Sequence, residues 1–381
     1  MSRATIVVIG ASYCGLGVAN GLLKSESDKV KIVLINPSEK VYFNIAAPRI
    51  LAKPEFFQPN QYLLPIESSF SKYPKESFEF IKGSASRIDT TSKLVELSSQ
   101  QPPISYDYLV IASGSTTSSS VDGELAPFKP MKDHDLEASI SSIQKAISNA
   151  NSVIIGGAGP VGVEFAGELA EAFKDKEDTS ITLISASERV LPMLKEKGSL
   201  AAENALADKG IKVIASTKVA NAVRSASGSQ TAWVVNLDNG EQLQADLYIS
   251  TTGALPNNQF IPAEFLSADG WVNVDENLRV TGGSEDCLIY ALGDITTQPL
   301  RTAIKLADQI PVVVSNLKVA ILGTGKLVNY NPNGSFMMVV PIGESTGTGQ
   351  MFGWKPWGMM VSMIKGRDFF ISKAAGMLGL N

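Results

Sequence analysis

Two short stretches of this sequence carry glycines at a spacing suited to holding phosphate. The first is Thr5-Ile6-Val7-Val8-Ile9-Gly10-Ala11-Ser12-Tyr13-Cys14-Gly15, and the second is Val153-Ile154-Ile155-Gly156-Gly157-Ala158-Gly159-Pro160-Val161-Gly162-Val163-Glu164. In each, a β-branched apolar run meets glycines and passes into a helical pattern. A pyrophosphate seated on the N-terminus of that helix leaves no room for a bulky Cβ on its approach. Gly10 and Gly15 take the outer glycine places of the first copy, and Ser12 takes the middle one, where a small hydroxyl can donate to phosphate. The second copy is complete with Gly157, Gly159 and Gly162. One such motif is a weak sign, since a glycine-rich strand–helix turn can exist without a ligand. Two on one chain argue for two dinucleotides. The economical use of the pair is hydride transfer between them, with a nicotinamide and a flavin as partners.

The rest of the chain supplies elements that position such loops. Val30–Ile35 reads as a second strand after the first helix, and Tyr108–Ala112 as another buried strand. Ser115–Val121, rich in serine and threonine, reads as a linker, and Asp135–Ala150 as a helix leading into the second fingerprint. Ile181–Ile184, Leu247–Ser250 and Leu288–Leu292 are further strands, followed by a long helix-like stretch and a tail rich in Met, Trp and Phe. Alternation of this kind predicts an α/β fold with parallel sheets.

Composition narrows the function classes. The chain has 381 residues, 44% of them hydrophobic, with a net charge of −5. A pI near 5.2 leaves no basic footprint for nucleic acid. The two cysteines, Cys14 and Cys287, form no C-x-x-C pair, which removes a dithiol relay and makes a disulfide scaffold unexpected. No metal site is expected from one histidine, His134 in a polar stretch, and two distant cysteines. The apolar N-terminus is assigned to the fold and not to export, because Gly10, Gly15 and Gly17 fall where the nucleotide turn needs them. Met1-Ser2 offers no glycine for myristoylation, and the best candidate span, Ile310 to Leu322, is interrupted by Asn316 and Lys318.

The fingerprints, together with Asn44-Ile45-Ala46-Ala47-Pro48-Arg49, Ala112-Ser113-Gly114-Ser115, Tyr290-Ala291-Leu292-Gly293-Asp294 and Ile364-Lys365-Gly366-Arg367-Asp368-Phe369-Phe370, span nearly the whole chain. In this order they resemble the apoptosis-inducing-factor-like, ferroptosis-suppressor-type branch of the two-dinucleotide-binding flavoproteins, of which type II NADH dehydrogenases are near relatives. The resemblance implies two Rossmann-like, glutathione-reductase-like domains and a small C-terminal α+β domain. Residues 1–115 and 245–320 would form the FAD domain, 116–244 the NAD(P)H domain, and 321–381 a C-terminal domain at the membrane or quinone. It implies FAD at Gly10, Ser12 and Gly15, with Asn36 in place of the usual ribose-binding carboxylate. Asn44, Arg49, Ala112 and Gly114 would lie by the flavin, and Asp294 would hold the ribityl chain. The helix beginning near Arg301 would aim its positive end at the flavin pyrimidine. The second fingerprint, with Gly253, would hold NADH or NADPH. Ser187 and Arg189 can receive a 2′-phosphate while Glu188 repels one, so both cofactors are expected to work.

Glu164 and Lys365 match family positions near the reacting rings. Equally, Glu164 can be a helix N-terminal glutamate stabilised by the dipole, and Lys365 a surface lysine on an amphipathic tail. The resemblance implies electron transfer from NAD(P)H through FAD to a quinone such as ubiquinone. A reductase of a small electron-transfer protein and a nucleotide-binding cell-death signalling protein are the alternatives. Met351–Leu380, with Trp354, Trp357, Phe369, Phe370 and five methionines, reads as ordinary core in part and as an interfacial segment with Lys355, Lys365 and Lys373 facing lipid phosphate. A monomer or homodimer is expected, cytoplasmic and peripheral on a membrane such as that of the mitochondrion or lipid droplet.

Overall fold

The structure, a computed structural model, describes residues 3–99, 101–117, 125–130, 135–227, 230–283, 288–332 and 336–380. His134 and Cys287 lie outside them. The first fingerprint strand, Ala4–Ile9, is central in a parallel sheet ordered Ile289–Ala291, Tyr108–Ile111, Ala4–Ile9, Val30–Asn36, Phe78–Lys82. Its alternate side chains enter different cores. Ile6 and Val8 join the large core with the helices, whereas Val7 and Ile9 pack beneath the meander Ala85–Asp89, Leu94–Leu97, Ile104–Ser105. Burial on both faces is why the strand reads as a continuous apolar run.

The second half repeats this plan. Its parallel sheet runs Lys212–Ile214, Ser180–Ile184, Ser152–Gly156, Leu247–Ser250, and the meander Val219–Ser227, Gln230–Leu237, Gln242–Ala245 covers one face. The strand just after residue 245 joins this second sheet. Leu247–Ser250 hydrogen-bonds to Ser152–Gly156 and so belongs to the second sheet. The chain returns to the first domain just after it. Ala254–Pro256 pairs there antiparallel with Ser115–Thr117, so the supposed linker begins as a strand, and residues 118–124 lie outside those described. A domain inserted into another needs an exit and a return, and pairing the two connections satisfies the backbone groups of both.

The helix Ala303–Leu322, capped by Thr302, lies against the first fingerprint helix, Tyr13–Glu26. Glycines permit this approach: a Cβ on Gly17 would stand 2.5 Å from Ile310 Cδ1. The tail forms a hairpin of Met338–Pro341 and Gly347–Gln350, then a short helix, Gly358–Val361, and a π-helical turn, Ser362–Gly366. Among the described residues, no helix is long and apolar enough to cross a membrane.

Candidate active site

The first cradle is shaped for a group that the protein itself does not supply. Gly10 has φ +103°, and a Cβ there would stand 2.3 Å from the Ala112 carbonyl oxygen. A Cβ on Gly15 would meet the Gly10 carbonyl at 1.8 Å, so the turn and helix can close only on glycines. Ser12 is the N-cap of Tyr13–Glu26 yet makes no side-chain capping bond, which leaves its hydroxyl for a ligand. Asn36 Oδ1 accepts from the Ala11 N–H at 3.0 Å, so the amide in the usual carboxylate place braces the loop. Asn44 Nδ2 donates to the Phe128 carbonyl, and a Cβ on Gly114 would find nothing within 4 Å.

Asp294 gives the clearest test of cofactor fit. Its Oδ2 accepts from Lys129 Nζ at 2.5 Å and from Ser115 Oγ at 3.2 Å. Its Oδ1 is buried with no hydrogen-bond partner among the described residues. A buried carboxylate oxygen left unmatched is costly, and a ribityl hydroxyl is the donor it fits. Gln309 Oε1 accepts from the Gly293 N–H at 2.7 Å and fixes the turn carrying Asp294. Sequence reasoning missed both Lys129 and Gln309. No motif marks a lysine between domains, whereas Gln309, on the helix after Gly-Asp, was open to a search for a polar residue facing that turn.

The second cradle repeats the geometry. Gly157 has φ +110°, and a Cβ on Gly162 would meet the Gly157 carbonyl at 1.9 Å. A Cβ on Gly159 would touch no protein atom within 4 Å, so its absence serves the approaching phosphate and not packing. Thr251 Oγ1 donates to the Gly156 and Gly157 carbonyls, while exposed Gly253 (φ +63°) turns the chain away beside them. The structure turns Arg189 elsewhere than onto a phosphate: its Nη2 donates to the Pro192 and Leu194 carbonyls at 3.3 and 3.2 Å. Ser187 is half-buried at the strand end, beside exposed Glu188. Ser187→Glu is therefore the cleaner test of cofactor choice. It is expected to lower kcat/KM about ten-fold more for NADPH than for NADH, because a carboxylate there repels a 2′-phosphate. Equal losses would show that the phosphate is not read at this strand end.

On the helix after the second fingerprint, Pro160–Ala172, the structure brings Glu164 together with Lys365 of the C-terminal turn. Lys365 Nζ donates to Glu164 Oε1 at 2.5 Å, and their side chains are 14% and 5% exposed. Burial pushes Glu164 up to about 7; Lys365 opposes this by charge and hydrogen bond, Glu168 adds to it, and Arg49 opposes it. Arg49 is engaged by protein groups. Its Nε and Nη2 pair with Glu168 at 2.8 Å each, and Nη1 donates to the Arg367 carbonyl. Cys14 is buried beside Gly293, and burial raises its thiol, so it offers no ready thiolate. Among the described residues, no group of three His, Cys, Asp or Glu could hold a metal.

Two such cradles on one chain, each a glycine turn onto a helix N-terminus, define the class of two-nucleotide flavoprotein oxidoreductases. Residues 4–311 match the model of the pyridine nucleotide-disulphide oxidoreductases, and the chain belongs to this family. It is 32% identical to the oxidoreductase ptaL of Pestalotiopsis fici over 94% of this chain and 95% of that one. It is 27% identical to ferroptosis suppressor protein 1 of Xenopus tropicalis, over 98% and 95% of the two chains. The fold superposes on the sulfide:quinone oxidoreductase of Aquifex aeolicus with a TM-score of 0.77 at 18% identity, covering 100% of this chain and 93% of that one. The protein is an FAD-dependent oxidoreductase using NAD(P)H, related to the apoptosis-inducing-factor-like branch and to type II NADH dehydrogenases.

Proposed function

We propose that this oxidoreductase passes electrons from NAD(P)H to a quinone at a lipid surface. The carrying observation is an apolar display on the tail. Phe352, Trp357 and Met359 are 70, 78 and 73% exposed, with Trp354 and Met363 about half exposed beside them in the chain. Met351 and Trp354 exchange backbone hydrogen bonds around Phe352 (φ +48°) and Gly353 (φ +85°), a tight primed turn. A left-handed phenylalanine costs about 1–2 kcal/mol. Lys195 Nζ, from the nucleotide domain, braces the turn by donating to the Gly353 carbonyl at 2.8 Å. Indole rings with exposed Lys355 nearby suit the headgroup layer, where a quinone reductase must reach its acceptor. Lys365, expected on that surface, points inward to Glu164 instead, so the lipid-facing charge falls to Lys355 and exposed Lys373.

FAD, when bound, would supply the redox chemistry by which a hydride equivalent of the nicotinamide becomes electrons for the acceptor. Gly10, Ser12, Gly15 and Asp294 would hold it, and Gly157, Gly159 and Gly162 would hold the nicotinamide nucleotide. Glu164, on the helix that follows the second fingerprint and bonded to Lys365, would set the charge beside the reacting rings while the flavin is reduced and, pushed up to about 7, would hold a proton for the quinone afterwards. Trp354→Ser/Trp357→Ser is expected to spare flavin reduction by NADH while weakening liposome binding. Turnover with long-chain quinone should fall about ten-fold, and short-chain quinone should suffer less. A folded double variant with unchanged liposome binding and long-chain turnover would remove the lipid reading.

A further inference from the structure

Arg49 and Glu168 are both fully buried and are joined in bidentate fashion across the domain boundary. Such a pair is weak evidence for stability, because desolvation of two charges offsets much of their attraction. Its connections suggest a different use. The guanidinium lies 4.6 Å from the Phe56 ring centroid and 4.8 Å from that of Phe369. Phe369 is also 5.2 Å from Lys365 Nζ, and its N–H donates to the Lys365 carbonyl. Arg49 Nη1 donates to the carbonyl of Arg367, between these two. The backbone there is strained, with Phe369 at φ +49° and Phe370 at φ +62° just after the π-helical turn that carries Lys365. Strain of this kind persists only where surrounding contacts impose it.

We propose that Arg49, braced by Glu168, is a positioning residue that clamps the strained turn at 362–370 and so aims Lys365 at Glu164. This rests on the reading of the Glu164–Lys365 pair given above. Three elements meet in the clamp: Arg49 from the helix Ala47–Ala52 of the flavin domain, Glu164 and Glu168 from Pro160–Ala172 of the nucleotide domain, and the C-terminal turn. Glu164 faces Lys365 from the turn, Arg49 from the flavin domain and Glu168 on its own helix. Arginine suits this place, because a planar guanidinium can pair with a carboxylate, donate to a carbonyl and lie between two rings at once. An ammonium cannot.

The test uses the FAD-loaded full chain with Arg49→Lys, Lys365→Met and both together. Arg49→Lys keeps the charge beside Glu168 and releases the turn. Amide hydrogen exchange in 362–370 is expected to rise at least about ten-fold while the two fingerprint helices stay protected. Anaerobic flavin reduction by NADH should slow about ten-fold in Arg49→Lys, with its pH midpoint shifted upward, and should slow no further when Arg49→Lys is added to Lys365→Met. Unchanged exchange in 362–370 overturns the clamp. Losses that multiply in the double variant make Arg49 merely structural and overturn the positioning role. A Lys365→Met enzyme of unchanged rate would instead remove the reading of the pair, and the catalytic meaning of the clamp with it, even if exchange rises. Should Arg49→Lys fail to load FAD, Glu168→Gln carries the exchange and rate measurements, with the same direction expected; its pH midpoint is not compared, because losing the Glu168 charge by itself lowers Glu164.

Discussion

Replacing Asp294 by alanine is expected to yield a folded protein purified without its yellow flavin. The carboxylate has two separate tasks. Oδ2 holds Lys129 and Ser115 across the junction between the ribbon Ser115–Thr117 and the first sheet, and Oδ1 is free and buried. Alanine removes the buried acceptor that fits a ribityl hydroxyl and strands the Lys129 ammonium, which is itself only 23% exposed. Loss of one charge-assisted hydrogen bond weakens binding by about 1.5–3 kcal/mol, and the unpaired cation adds to this. Affinity for FAD should therefore fall about ten- to a hundred-fold, read by flavin absorbance on purification and by fluorescence titration of the apoprotein. Asp294→Asn keeps an acceptor and should lose less. A wild-type protein that is colourless and cannot be reconstituted with FAD would overturn the assignment of the whole first domain.

Lys365→Met is expected to slow flavin reduction by NAD(P)H about 10- to 100-fold and to move its pH dependence upward. Burial is the largest influence on Glu164 and pushes it up to about 7 even with Lys365 in place. Losing the ammonium leaves burial and Glu168 less opposed, so the carboxyl stays protonated to higher pH. In the wild type, Glu164 is mainly neutral below pH 7 and mainly ionised above it. Stopped-flow reduction from pH 5 to 9 should show that ionisation, Lys365→Met should displace it, and Glu164→Gln should abolish it. A stability effect follows with a definite sign. The native carboxyl sits above its ordinary 4.5, so its stabilising share is complete below that value and is lost as pH rises from there to about 7. Thermal melts of wild type should decline across that window and those of Glu164→Gln should not. Identical pH profiles for all three proteins would show that the pair takes no part in the reaction.

Much of the molecule was legible without coordinates because its rules are local. A tight turn onto a helix N-terminus demands glycine within a few residues, so Gly10, Gly15, Gly157 and Gly162 announce their own geometry. Apolar strand runs report sheets covered on both faces, and the repeated strand–glycine–helix unit reports two such sheets. The domain crossover was less legible. Leu247–Ser250 is as apolar as a strand of either sheet, and only its pairing with Ser152–Gly156 decides which it joins.

The pairing of charges lay beyond the sequence. Glu164 and Lys365 are 201 residues apart, and Arg49 and Glu168 are 119 apart. Lys129 meets Asp294 from a segment with no motif. By itself, the sequence determined that this chain folds around two dinucleotide cradles. Tertiary structure decided which side chain faces which across the seam: it paired Arg49 with Glu168, and it turned Lys365 inward to Glu164. The physical reason is that backbone turns are set by near neighbours along the chain, whereas a buried charge takes whichever partner the packed domains bring within reach.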